Sequence, residues 1–116
     1  THQPIEHLTM LRATPGIHTW RPADLAETVV AWEQALVAKH HPTALVLTRQ
    51  ALPACVEPHI SIDMIRKGAY VLKDCIQDPQ VVLLATGSEV HLCLKAQSLL
   101  LGEGIQARVV SMPCME

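Results

Sequence analysis

The sequence contains no phenylalanine, one tyrosine and two tryptophans, yet 49% of its 116 residues are hydrophobic. Any core it builds is therefore aliphatic, and the length suits one small domain or parts of two. No run approaches the roughly 18 consecutive apolar residues of a membrane-spanning helix, so no membrane association is expected. Excess positive charge is missing too: nine Lys and Arg against eleven Asp and Glu give a formal charge of −2. That balance leaves no basic footprint for nucleic acid. The four cysteines (Cys55, Cys75, Cys93, Cys114) contain no CxxC pair, which argues against a zinc finger or a dithiol redox motif. The composition is that of an ordinary intracellular α/β protein, so the cysteines are expected to be reduced and structural. Glycine is sparse, and neither GxGxxG nor GK[ST] occurs, which excludes the two common nucleotide fingerprints. The opening residues lack a basic region followed by an apolar run, so no signal peptide is expected. Both ends look abrupt, as in a fragment.

What the sequence does have is a strand–helix–strand pattern between Ile17 and Gln50. Ile17 to Trp20 is a short β-type run stopped by Arg21-Pro22. Asp24 followed by Glu27 forms a capping-box pattern, in which the first carboxylate accepts orphan N–H groups and the second reaches back. Leu25, Val29, Trp32 and Leu36 fall at i, i+4, i+7 and i+11, which predicts one apolar stripe on a helix. His40-His41-Pro42 ends it, and the two histidines are expected to be a solvated helix end favoured by the dipole. Thr43 to Leu47 is apolar almost throughout, as in a strand covered on both faces of a parallel sheet. In open α/β sheets the ligand crevice lies outside the carboxyl ends of the strands, where Thr48, Arg49 and Gln50 fall.

Ahead of this unit, Thr1 to Leu11 is predicted helical, with Pro4 in the first turn and Pro15-Gly16 as a stop. After it, Ala51 to Lys67 carries mixed polarity and no sustained period, and reads as a linker with a helical turn near Ser61 to Arg66. Gly68 to Lys73 reads as a strand. Val81 to Ala85 is a second buried strand running into Thr86-Gly87-Ser88-Glu89, another capping-box pattern. A helix follows over Val90 to Leu101, with Leu92, Ala96, Leu99 and Leu100 on its inner side, and then a strand from Ile105 to Met112. The fold class is thus α/β: two incomplete βαβ units of parallel-sheet domains joined by a linker.

Gly87 sits at a strand-to-helix turn where anions bind, but with one glycine a plain capped helix start is the better reading. Asp24 is fully explained as a cap. Arg49 is the informative residue: a guanidinium just past a buried strand can hold a phosphate or carboxylate with two parallel bonds. A surface salt bridge is its equally simple alternative. His2 stands before a helix start, either exposed or in a site. His7, His18, His59 and His91 show no paired ligand spacing, so no metal site is expected. No nucleophile–base pair and no nucleophile elbow can be read, so no catalytic residue is assigned.

The stretches THQPIEHL (1–8), WRPAD (20–24), TALVLTRQALP (43–53), GAYVLKD (68–74), ATGSEV (85–90) and ARVVSMP (107–113) together resemble the transketolase family, in its bacterial and plant branch. The resemblance runs from the first residue to the last. It implies a thiamine-diphosphate enzyme of the pentose phosphate pathway, moving a two-carbon ketol unit from a ketose phosphate to an aldose phosphate. It also implies residues 1–53 as the end of a pyrimidine-binding domain, 54–67 as the linker, and 68–116 as the start of a C-terminal domain. On the family pattern His2, in the THQP motif, lines the substrate channel, and Arg49, in the [S/T]RQ motif, contacts the substrate's phosphate. Thr48, Leu25-Ala26 and Ala51 depart from the commoner residues and leave those two untouched. The glutamate that activates the cofactor and the acidic motif that holds magnesium or calcium belong to regions absent from this chain. The remainder of such a polypeptide, sugar phosphates and a homodimer are the implied partners, and the cytoplasm the implied location. The isolated chain is expected to be inactive. Alternatives are a non-catalytic module that self-associates or binds a partner through open sheet edges, or a fragment of a related enzyme such as deoxyxylulose-phosphate synthase or a dehydrogenase β subunit.

Overall fold

A computed structural model describes residues 4–116. Two small sheets lie side by side. In the first, β1 (His18–Trp20) pairs in parallel with β2 (Thr43–Leu45), and α2 (Leu25–Val37) makes the crossover. This is the βαβ unit predicted between Ile17 and Leu47, with the second strand shorter by two residues. In the second sheet β5 (Ala107–Ser111) lies between β3 (Tyr70–Lys73) and β4 (Val81–Ala85). β4 and β5 are parallel, joined through α4 (Val90–Gly102), as predicted. β3 runs antiparallel to β5, with a register shift between Val71 and Lys73, so this sheet is mixed. The predicted turn in the linker is α3 (Ile62–Ile65), where the Ser61 hydroxyl accepts from the Met64 N–H. α1 (His7–Ala13) covers part of the predicted first helix; its opening residues, His2 among them, lie outside the described residues.

The segment after β5 ties the two sheets together. The Arg21 N–H donates to the Pro113 carbonyl (2.7 Å), and Trp20 forms an antiparallel bridge with Cys114. Gly68 makes that approach possible: its φ is +83°, and a Cβ there would stand 2.7 Å from the Cys114 carbonyl oxygen. A residue with a side chain would meet both a left-handed backbone and a backbone clash. The core accordingly spans both units, with Trp20, Val30 and Ala31 packed in one cluster with Ile65, Tyr70, Leu72, Val90 and Val109.

Four predicted faces differ from the observed ones. The Thr43–Leu47 run, expected to be covered on both faces, is only half-buried over β2, which has a single neighbouring strand, and Leu47 is exposed. On α2 the stripe Leu25, Val29, Trp32 and Leu36 is exposed, and Glu27, Val30 and Ala31 face inward instead. The rotation of the helix is fixed by the bonds Glu27 makes across the units, and an apolar stripe alone carries no information about such bonds. On α4 Leu92 and Leu99 are exposed, while Val90 and Gln97 are buried. The Gln97 amide turns inward because it donates to the carbonyls of Lys73, Asp74 and Ala107. β4 is the edge of its sheet, so Val81, Val82 and Leu84 are exposed rather than covered on both faces. The radius of gyration, 15.0 Å, exceeds the roughly 13 Å of a compact domain of this length, in keeping with so much uncovered apolar surface.

Candidate functional site at the carboxyl ends of the first sheet

The site region begins where β1 and β2 stop. The Val46 N–H donates to the Trp20 carbonyl (2.8 Å), carrying the ladder one residue past β2 before the chain leaves the sheet. The Thr48 hydroxyl then donates to the Gln50 carbonyl (3.0 Å), folding the backbone around Arg49. Between this loop and the start of α2 lies a cleft of about 290 Å³, with Asp24, Thr28, Thr48 and Gln50 among its polar lining. Arg49 stands between two lining residues and is itself exposed. Its alternative reading, a surface salt bridge, is not realised among the described residues, where the ion pairs use Arg21, His59, Arg66 and Arg108.

A larger cleft, about 430 Å³, opens at the other end of the same sheet, beside His18, His41, Arg66 and Glu116. It lies at the strands' amino ends, away from where parallel sheets carry ligands, so size does not select it. His41 stacks on His18 there, with ring centroids 3.5 Å apart. This corrects the expectation of a solvated His40-His41 helix end: α2 already stops at Val37, which frees His41 to pack.

Asp24 caps α2 as predicted, its Oδ1 accepting the Glu27 N–H at 3.1 Å. The capping box is otherwise displaced by one residue, since the Glu27 carboxylate accepts from the Ala23 N–H (2.6 Å). What sequence reasoning missed is where the remaining oxygens go. Asp24 Oδ2 accepts the N–H groups of Cys55 (3.0 Å) and Val56 (2.9 Å) in the linker. Glu27 Oε1 accepts the hydroxyls of Tyr70 (2.7 Å) and Ser111 (2.5 Å) from the second unit. Burial pushes the Glu27 carboxyl above its ordinary range, opposed by the Ser111, Ala23 and Tyr70 donors and reinforced by the nearby Asp24 charge. Burial also pushes the Cys55 thiol up to about 12, with the Asp24 and Glu27 charges adding to it, so it is not poised as a nucleophile. The capping-box spacing was the sole sequence signal for either carboxylate; partners tens of residues away leave no local pattern.

The turn at Gly87 is taken by protein. Arg21 donates to the Thr86 carbonyl (2.8 Å) and pairs with Glu89, and a Cβ on Gly87 would collide with the Arg21 side chain at 2.7 Å. The predicted Thr86–Glu89 capping box does not form. Thr86 makes no cap bond, its hydroxyl donates to the Arg21 carbonyl, and a 3-10 turn precedes α4. All four cysteines are free. Among the described residues no three His, Cys, Asp or Glu side chains gather as metal ligands, so these residues do not form a cage for a divalent cation. No described helix is long and apolar enough to cross a membrane.

Residues 1–54 match the family description "Transketolase, pyrimidine binding domain", and residues 68–116 match "Transketolase-like TK C-terminal domain". The chain belongs to the transketolase family. The transketolase of Rhodobacter capsulatus is 52% identical over 116 residues, the whole of this chain and 17% of that protein. Transketolase 1 of Escherichia coli is 47% identical over 113 residues, again 17% of its length. A crystal structure of the Pichia stipitis transketolase in complex with sedoheptulose 7-phosphate superposes with a TM-score of 0.89 at 46% identity, covering 98% of this chain and 16% of that one. The chain spans about a sixth of the length of the transketolases it matches. The match supports neither the self-associating module nor the deoxyxylulose-phosphate synthase alternative.

Proposed function

We propose that these residues form part of the substrate-binding face of a transketolase that moves a two-carbon ketol unit between sugar phosphates, with Arg49 gripping the phosphate. The observation that carries this reading is an exposed guanidinium, without an ion-pair partner among the described residues, just past β2 at the carboxyl end of a parallel βαβ unit. A phosphate presents the planar fork of arginine with two acceptors at once. His2 is proposed for the substrate channel on its THQP motif. The sugar phosphate bound in the Pichia stipitis relative supports the substrate class. On this reading residues 1–53 close a pyrimidine-binding domain, 54–67 link, and 68–116 open a C-terminal domain. The enzyme would be a cytoplasmic homodimer. Thiamine diphosphate, which supplies the carbanion chemistry, and its magnesium or calcium would be held mainly by residues outside this chain.

The test uses a chimera in which these 116 residues replace the matching stretch of the Rhodobacter capsulatus transketolase. Arg49→Ala should raise KM for sugar phosphates by about ten- to a hundredfold, the loss expected for a charge-assisted pair, with a smaller change for an unphosphorylated aldehyde. Equal changes for both substrates would remove Arg49 from the phosphate.

A further inference from the structure

The loop that carries Arg49 is held at two ends by different means. At its start the Val46 N–H is tied to the Trp20 carbonyl in the β1–β2 ladder. At its far end the Cys55 and Val56 N–H groups both donate to Asp24 Oδ2, at 3.0 and 2.9 Å. The other oxygen of the same carboxylate caps α2 through the Glu27 N–H. One side chain therefore fixes the helix start and the end of the loop to each other, beside the cleft that Thr48 and Gln50 line. Nothing else described ties Leu47 to Ala54 to α2 by a hydrogen bond.

We infer that Asp24 is a positioning residue, a splint that holds the Leu47–Ala54 loop so that Arg49 meets the substrate's phosphate in one orientation. This rests on the reading of Arg49 given above. Loops after strands are the mobile part of an α/β site, and a guanidinium's two-bond grip is directional. A loop tethered at one end samples more conformations, and only a fraction of them present both N–H groups to the phosphate. Small losses of alignment weigh heavily on such contacts. Asp24 itself need not touch the substrate.

Two substitutions separate the splint from the cap. Asp24→Ser retains a cap oxygen close to the backbone but is too short to keep both functions. Asp24→Asn is nearly isosteric and preserves fold, yet has one acceptor oxygen where the carboxylate uses two. In the chimera both should raise KM for a sugar-phosphate acceptor by about five- to tenfold with kcat changed less than about twofold. KM for an unphosphorylated aldehyde such as glycolaldehyde should move far less, so the preference for the phosphorylated acceptor falls. Added to Arg49→Ala, either substitution should cause no further loss of that preference. If both substrates suffer equally, or if the two losses simply multiply, Asp24 is merely structural and the inference is overturned. If Arg49→Ala abolishes the preference while Asp24→Asn and Asp24→Ser leave it intact, the splint fails and Arg49 stands. If Arg49→Ala itself leaves the preference intact, the reading of Arg49 fails first.

Discussion

Glu27 has no exposed surface and no ion-pair partner among the described residues, and its carboxylate is satisfied by donors from Ala23, Tyr70 and Ser111. A buried charge is tolerated only when its lone pairs are satisfied. Tyr70→Phe or Ser111→Ala should each destabilise the chimera's fold by about 1.5–3 kcal/mol, the range for bonds to a charged group, read as a shift in the denaturant midpoint. The pH response has a definite sign. Burial raises the Glu27 carboxyl above the ordinary 4.5, so the folded state holds this proton more tightly than the unfolded chain does. Its contribution to stability is therefore complete below 4.5 and declines as pH rises through the raised folded value. Glu27→Gln has no proton to lose and should flatten that decline in the thermal midpoint; an unchanged slope would assign the pH dependence to other groups.

The secondary-structure elements were legible in the sequence, and their faces were less so. Capping chemistry, the break at Arg21-Pro22 and the apolar strand runs placed β1, α2, β2, β4, α4 and β5 close to their observed spans, because those signals are local. The orientation of α2 was misread because apolar periodicity shows which residues tend to be buried, while the deciding bonds come from Tyr70 and Ser111. The position of Arg49 past β2 could be read from the strand pattern, whereas its link to a phosphate rests on the family resemblance; the bonds of Asp24 to Cys55 and Val56 could not be read, since these partners lie more than thirty residues away. Two glycines make the same contrast testable. Gly68 is held at φ +83° against the Cys114 carbonyl, whereas a Cβ on Gly102, the last residue of α4, meets nothing within 4 Å. Gly68→Ala should cost at least about 1–2 kcal/mol, and Gly102→Ala should gain about 0.4–1 kcal/mol through the unfolded chain. Denaturant midpoints moving in the same direction would contradict this account.

As a whole, the chain leaves both the apolar stripe of α2 and the edge strand β4 exposed, faces of the kind that bind other apolar surfaces. The purified 116-residue chain should therefore bind a hydrophobic dye strongly. Supplied with thiamine diphosphate and magnesium, it should show no ketol transfer, and measurable turnover would refute the view that it holds only part of a site. The Glu27 network carries a different implication for the linker between the two family segments. Its acceptor belongs to one segment and both hydroxyl donors belong to the other, so opening either segment leaves a charged oxygen in the first and stranded hydroxyls in the second. The border that sequence comparison draws between residues 54 and 68 is thus not expected to be a border of cooperativity: the two halves should melt in a single transition, and a cut between them would divide the chain without making its halves independent.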